Sequence, residues 1–189
     1  LLELCAALNL PRPWHILGHS MGGLIGLRTL MRTDTFEKAV FSAPMWGLKL
    51  SPHRRAVGWG VSAMASLIGL GQRAAPGSGK TTDPEMFAWM KRQLAAHPEL
   101  ALGGPSLAWI SAAFREMHTT AREAAPKVPC LTFLGTDEGI VSDDSIHVRM
   151  GSWPNSQLEM IEGARHEVLM ETPETRNRVF DQIAAFLNK

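Results

Sequence analysis

The feature that most narrows the fold is Gly18-His19-Ser20-Met21-Gly22, followed at once by Gly23. It stands between the short apolar run Trp14 to Leu17 and a segment, Met21 to Arg32, in which Leu24, Ile25, Leu27, Leu30 and Met31 recur with helical spacing. A serine between glycines at a strand-to-helix junction implies a sharp, strained turn that exposes its hydroxyl. Side chains at Gly18 or Gly22 are expected to collide with neighbouring backbone. The helix that follows points its first amides and positive end at the same spot, so the Met21 N–H is the expected donor to an oxyanion forming beside Ser20.

A serine hydroxyl is a weak nucleophile until a base takes its proton and a third group orients that base. Gly163-Ala164-Arg165-His166-Glu167 lies between the last strand pattern and the last helix, which makes His166 the candidate base. The other histidines fit less well: His15 falls within a strand, His19 within the serine turn, His53, His97 and His118 within a helical stretch, and His147 between strands. Gly135-Thr136-Asp137-Glu138-Gly139-Ile140-Val141 follows the run Cys130 to Leu134 and offers two adjacent carboxylates, of which only one can face His166.

The rest of the chain supplies the frame. Leu1 to Leu10 is apolar with helical spacing and is stopped by Pro11 and Pro13; Ala39 to Ser42 reads as a second strand ended by Pro44. From Trp46 to Pro126 only helices are expected: around Val57 to Leu70, after Asp83-Pro84, and from Ser106 to Ala125. Strand patterns return at Cys130 to Leu134 and Leu158 to Ile161, and a closing helix starts near Thr172-Pro173. Alternating strands and helices with short connections predict an α/β fold with a mostly parallel sheet flanked by helices. The expected organisation is a first core segment over 1–45, a helical cap over 46–126 and a second core segment over 127–189.

Composition names no other partner. Nineteen basic against eighteen acidic residues leave a charge of +1, with no run that would attract nucleic acid or an anionic surface. Cys5 and Cys130 lie far apart in apolar surroundings outside any metal-ligand spacing, and read as reduced core residues. No signal segment opens the chain and no run reaches the roughly 18 to 20 apolar residues of a membrane span, so a cytoplasmic location is expected. Ala74 to Thr81 (AAPGSGKT) fits a loosened phosphate-loop pattern, but no strand precedes it to aim its amides, and it reads as a surface loop.

GHSMGG at 18–23, GTDEGIV at 135–141 and GARHEVLMETPE at 163–174 resemble the lysophospholipase and monoacylglycerol lipase branch of the α/β-hydrolases, classed near the serine aminopeptidases. In that fold the acid loop reads Gly-x-x-acid-x-x-Val, which places the acid at Glu138 and leaves Asp137 one residue early. The resemblance implies hydrolysis of a lysophospholipid or monoacylglycerol through an acyl-Ser20 intermediate, with no metal or organic cofactor and at most transient contact with lipid surfaces. His166 would deprotonate Ser20, protonate the leaving alcohol and then activate water.

Full members of that branch carry several strands ahead of the serine turn, so the resemblance also implies that roughly a hundred residues, including a second oxyanion donor, lie outside this chain. Alternative expectations are a broad carboxylesterase or serine aminopeptidase of the same fold, or an inactive truncated product. The cap's Trp46, Trp59, Trp89 and Trp109, with Met45, Met64, Met86, Met90 and Met117, suit a flexible acyl chain as a region, while each residue taken singly is expected to pack helices together.

Overall fold

In a computed structural model, residues 2–50, 81–100 and 105–188 are described. Four strands, β1 (Trp14–His19), β2 (Phe36–Ser42), β3 (Cys130–Gly135) and β4 (Ser156–Ile161), form one sheet in the order β1-β2-β3-β4. Every neighbouring pair is parallel, so each crossover requires a covering element. The described helices are α1 (Leu2–Ala7), α2 (Met21–Leu30), α3 (Pro84–Ala96), α4 (Leu107–Arg122), α5 (Asp143–Gly151) and α6 (Pro173–Leu187). The helix expected around Val57 to Leu70 and nearly all of the Ala74–Thr81 stretch lie outside the described residues.

The sheet divides the core into two layers. On one face Leu24, Leu27, Phe41, Met45, Trp46, Met117, Leu134 and Trp153 pack under α2, α4 and α5. On the other, Val40, Leu131, Phe133 and Ile161 meet Val168, Val179 and Ile183, the last two from α6. Alternate residues of β2 and β3 thus enter opposite layers, as the period of a strand requires. Phe41, Trp46 and Trp153 form an aromatic cluster with centroids 5.4 to 6.2 Å apart, and Trp46 Nε1 donates to the Gly23 carbonyl at 3.2 Å. Met45, Trp46 and Met117 are therefore core residues, whereas Trp89 and Trp109 are exposed.

Helix ends follow the local chemistry read in the sequence. The Asp83 carboxylate accepts from the N–H groups of Glu85 and Met86, with Pro84 in the first turn. Helix α5 was not expected. It spans nine residues, too few for its two buried apolar residues, Ile146 and Met150, to show a period, and Ser142 caps it by accepting from the Ser145 N–H. Among the described residues no helix is long and apolar enough to cross a membrane.

Cys130 is fully buried, and that burial pushes its thiol up to about 12, against a weaker opposing hydrogen bond with Thr132. Because the thiolate is the reactive form, iodoacetamide is expected to leave Cys130 unmodified in the native chain and to modify it only after unfolding. Peptide mapping checks this; native alkylation of Cys130 would contradict the packing of β3.

Candidate active site

Ser20 stands between β1 and α2 with φ 51° and ψ −116°, a left-handed backbone that a non-glycine residue adopts only under constraint. The constraint is visible. Ser20 N–H donates to the Ser42 carbonyl at 3.0 Å, and the Ser20 carbonyl accepts from Gly23 N–H at 3.0 Å and Met45 N–H at 2.8 Å. The turn is thus bonded to the end of the neighbouring strand.

The glycines do not share one role. A Cβ at Gly18 would lie 2.7 Å from the Gly22 carbonyl oxygen, as expected, but one at Gly22 would meet nothing within 4 Å. The expected collision at Gly22 is therefore corrected. The second crowded position is Gly23, where a Cβ would sit 2.5 Å from Pro44 Cβ, because α2 crosses directly over the end of β2.

His166 is buried in the loop after β4, with its two ring nitrogens engaged on opposite sides. Nε2 lies 2.9 Å from Ser20 Oγ, and Nδ1 lies 2.8 Å from Glu138 Oε2. The structure thus brings Ser20, His166 and Glu138 into one hydrogen-bonded line, while Asp137, one residue earlier, is exposed. Met21 opens α2, so its N–H belongs to the first turn, whose amides have no intrahelical partner.

Glu138 is held for this position. Its Oε1 accepts from Ile140 N–H at 2.6 Å and Val141 N–H at 3.2 Å. Burial alone would raise its pKa, but the hydrogen bonds from His166 and from these two amides outweigh it and keep the carboxyl below its ordinary range. Lys49 Nζ donates to the Glu138 carbonyl at 2.9 Å and approaches Asp143 at 3.2 Å, and Leu48 pairs with Val141, so residues 47–50 buttress the acid loop.

Two acidic residues of the His166 loop were not singled out from sequence. Glu171, 2% exposed, accepts from Arg165 N–H at 3.0 Å and from the Thr82 hydroxyl, tying the loop to the chain ahead of α3. Glu167 meets His19 at 3.1 Å; that hydrogen bond, stronger than the opposing effect of burial, holds its carboxyl below the usual range. Surplus carboxylates at 167 and 171 in a loop with one assigned histidine were the available signal.

The acid and histidine loops touch at Gly135. A Cβ there would lie 2.5 Å from the Ala164 carbonyl carbon and 2.8 Å from the Arg165 carbonyl oxygen. Both neighbours are backbone and cannot swing away. Gly135→Ala is expected to lower unfolding free energy by about 1 to 3 kcal/mol, the usual range for overpacking, and to separate Glu138 from His166. Urea unfolding with a parallel ester assay checks both, and a fully stable, fully active variant would contradict the contact.

A parallel sheet with a serine turn at one strand end and a histidine loop at another is the plan of an α/β-hydrolase. The profile of the serine aminopeptidase S33 family matches residues 2–173, and the chain belongs to that family. It is 29% identical over 203 residues to a probable lysophospholipase L2 of Haemophilus influenzae, covering 100% of this chain and 64% of the relative. Lysophospholipase L2 of Escherichia coli is 26% identical over 202 residues, covering 95% of this chain and 59% of the relative. The chain thus spans less than two thirds of the length of these relatives. Among solved structures, a monoacylglycerol lipase of Paleococcus ferrophilus superposes with TM-score 0.77 at 20% identity, over 98% of this chain and 71% of that one, a likeness of fold.

Proposed function

We propose that this chain carries the catalytic centre of a serine hydrolase that cleaves single-chain acyl esters, lysophospholipids or monoacylglycerols, through an acyl-Ser20 intermediate. The observation that carries the reading is the line Glu138–His166–Ser20, with contacts of 2.8 and 2.9 Å. Such a line supplies a base for the serine proton and a fixed anion to orient and stabilise the imidazolium. In the proposed cycle His166 takes the Ser20 proton as Oγ attacks the ester carbonyl, and the Met21 N–H donates to the oxyanion. His166 then gives the proton to the leaving alcohol, and finally activates the water that releases the fatty acid.

Two further observations support the substrate class. The bacterial relatives are described as lysophospholipases. A cavity of about 300 Å³ starts at Met21, beside Ser20, and runs between α2 and α4 along Leu24, Ile25, Met45, Trp109 and Ala113 to Arg28 and Glu116. Its walls are largely apolar until the ion pair of Arg28 and Glu116 at 2.8 Å, which suits a hydrocarbon tail of limited length. The organisation proposed with this function is a core over 1–45 and 127–189 with a cap over 46–126, acting in the cytoplasm.

A substrate panel tests the choice of ester. Release of long-chain fatty acid from lysophosphatidylcholine or a monoacylglycerol, at higher kcat/KM than from short nitrophenyl esters or aminoacyl amides, is expected. The opposite preference would replace this reading with that of a broad esterase or aminopeptidase.

A further inference from the structure

Beside the hydrogen-bonded line lies a group of side chains that the proposed hydrolysis does not use. His19 ends β1, next to Ser20, and Glu167 directly follows His166. His19 Nε2 and Glu167 Oε2 are 3.1 Å apart, and the rings of His19 and His166 have centroids 5.0 Å apart. One ligand atom from each of His19, His166 and Glu167 lies within 4.8 Å of the other two.

The orientation of both imidazoles points to a ligand. A histidine that binds a metal through one nitrogen almost always donates its other N–H to a carboxylate or a backbone carbonyl, which fixes the tautomer. His166 has Nδ1 on the Glu138 carboxylate at 2.8 Å, and His19 has Nδ1 on the Ser42 carbonyl at 3.0 Å. Nε2 is thus the nitrogen each ring has left for a ligand: that of His166 faces Ser20 Oγ at 2.9 Å, and that of His19 donates to the Glu167 carboxylate at 3.1 Å a proton that a bound cation would displace. Two imidazoles and a carboxylate are the donor set of three-ligand zinc sites, and a poor one for magnesium or calcium, which take oxygen.

We propose that His19, His166 and Glu167 form a binding site for a divalent cation of borderline softness, zinc above all, and that its occupation shuts off Ser20. Ligand atoms around tetrahedral zinc stand about 3.4 Å apart, from bonds of about 2.0 to 2.2 Å. The 4.8 Å spread is wider than this, and the His19 and Glu167 side chains, 27% and 23% exposed, have room to close it. The ion takes the Nε2 lone pair of His166, the same pair that accepts the Ser20 proton at 2.9 Å. While it is bound the serine has no base. Zinc here is an inhibitory ligand and not a cofactor, and its binding does not depend on the hydrolase reading; only the inhibition does.

Titration of ZnCl2 into the full chain by calorimetry, without substrate, tests the site. One ion per chain is expected for the native protein and for Ser20→Ala, and no saturable binding of MgCl2. Binding should weaken by about tenfold or more in His19→Ala and, as a shape-preserving second variant, in Glu167→Gln. Absence of saturable zinc binding to the native chain, or native affinity in Glu167→Gln, would overturn the proposal. Zinc should also suppress reaction of Ser20 with an activated-serine probe in the native chain and not in Glu167→Gln. A chain that binds zinc as described but never reacts with the probe would remove the hydrolase reading and leave the metal site standing.

Discussion

His166→Ala is expected to lower kcat on an acyl ester by about a millionfold, and Ser20→Ala by a similar factor, the cost seen when nucleophile or base is lost from a comparable relay. The reason lies in the shared proton. With Nε2 2.9 Å from Oγ, each group is useful only through the other, so removing either leaves the same residual catalysis from oxyanion stabilisation and binding. The double variant should therefore be no worse than either single one. Steady-state assays at saturating ester, with circular dichroism to confirm folding, measure this. If the losses in the two single variants multiplied in the double variant, Ser20 and His166 would be acting independently and the proposed relay would be wrong.

Glu138→Gln should cost about ten-thousandfold in kcat, because the amide leaves the shape intact but presents the wrong partner to the imidazole. Asp137→Asn should change kcat by less than a few-fold. The contrast is large because the two residues, adjacent in sequence, occupy opposite environments. Glu138 is 3% exposed and turned inward, with one oxygen on His166 and the other on the amides of Ile140 and Val141. Asp137 faces solvent, and among the described residues only its backbone N–H finds a partner, donating to the Ala164 carbonyl at 3.0 Å. An Asp137→Asn variant that loses activity while Glu138→Gln keeps it would reverse the assignment.

The elements that position these groups were legible because their local signals agree with their tertiary roles. Met21 to Leu30 shows a helical apolar face and lies on the sheet by Leu24, Leu27 and Leu30. The strands were found but read short. β2 begins at Phe36 and not at Ala39, because Glu37 and Lys38 interrupt the apolar run. Lys38 reaches across to the carbonyls of Phe186 and Leu187 at 3.0 and 3.1 Å, so a charge that looked like a strand boundary is satisfied by the far end of α6.

What sequence could not supply were contacts made at long range. The buttress from Lys49 to the acid loop and the clamp by Glu171 join residues 89 apart in each case. Nothing local distinguishes Lys49 from any surface lysine. The choice between Asp137 and Glu138 was reached through family spacing, since composition and periodicity treat the two carboxylates alike. Gly22 shows the reverse error: a motif glycine was given a steric role that falls in this structure to Gly23, whose neighbour Pro44 comes from another strand end.

The most direct test of the proposed centre is reaction of the chain with a fluorophosphonate, which modifies only a serine whose hydroxyl is activated by a neighbouring base. Mass spectrometry should find one adduct, on Ser20, absent from Ser20→Ala and strongly reduced in His166→Ala. A folded native chain that stays unmodified, or an adduct that persists in Ser20→Ala, would contradict it.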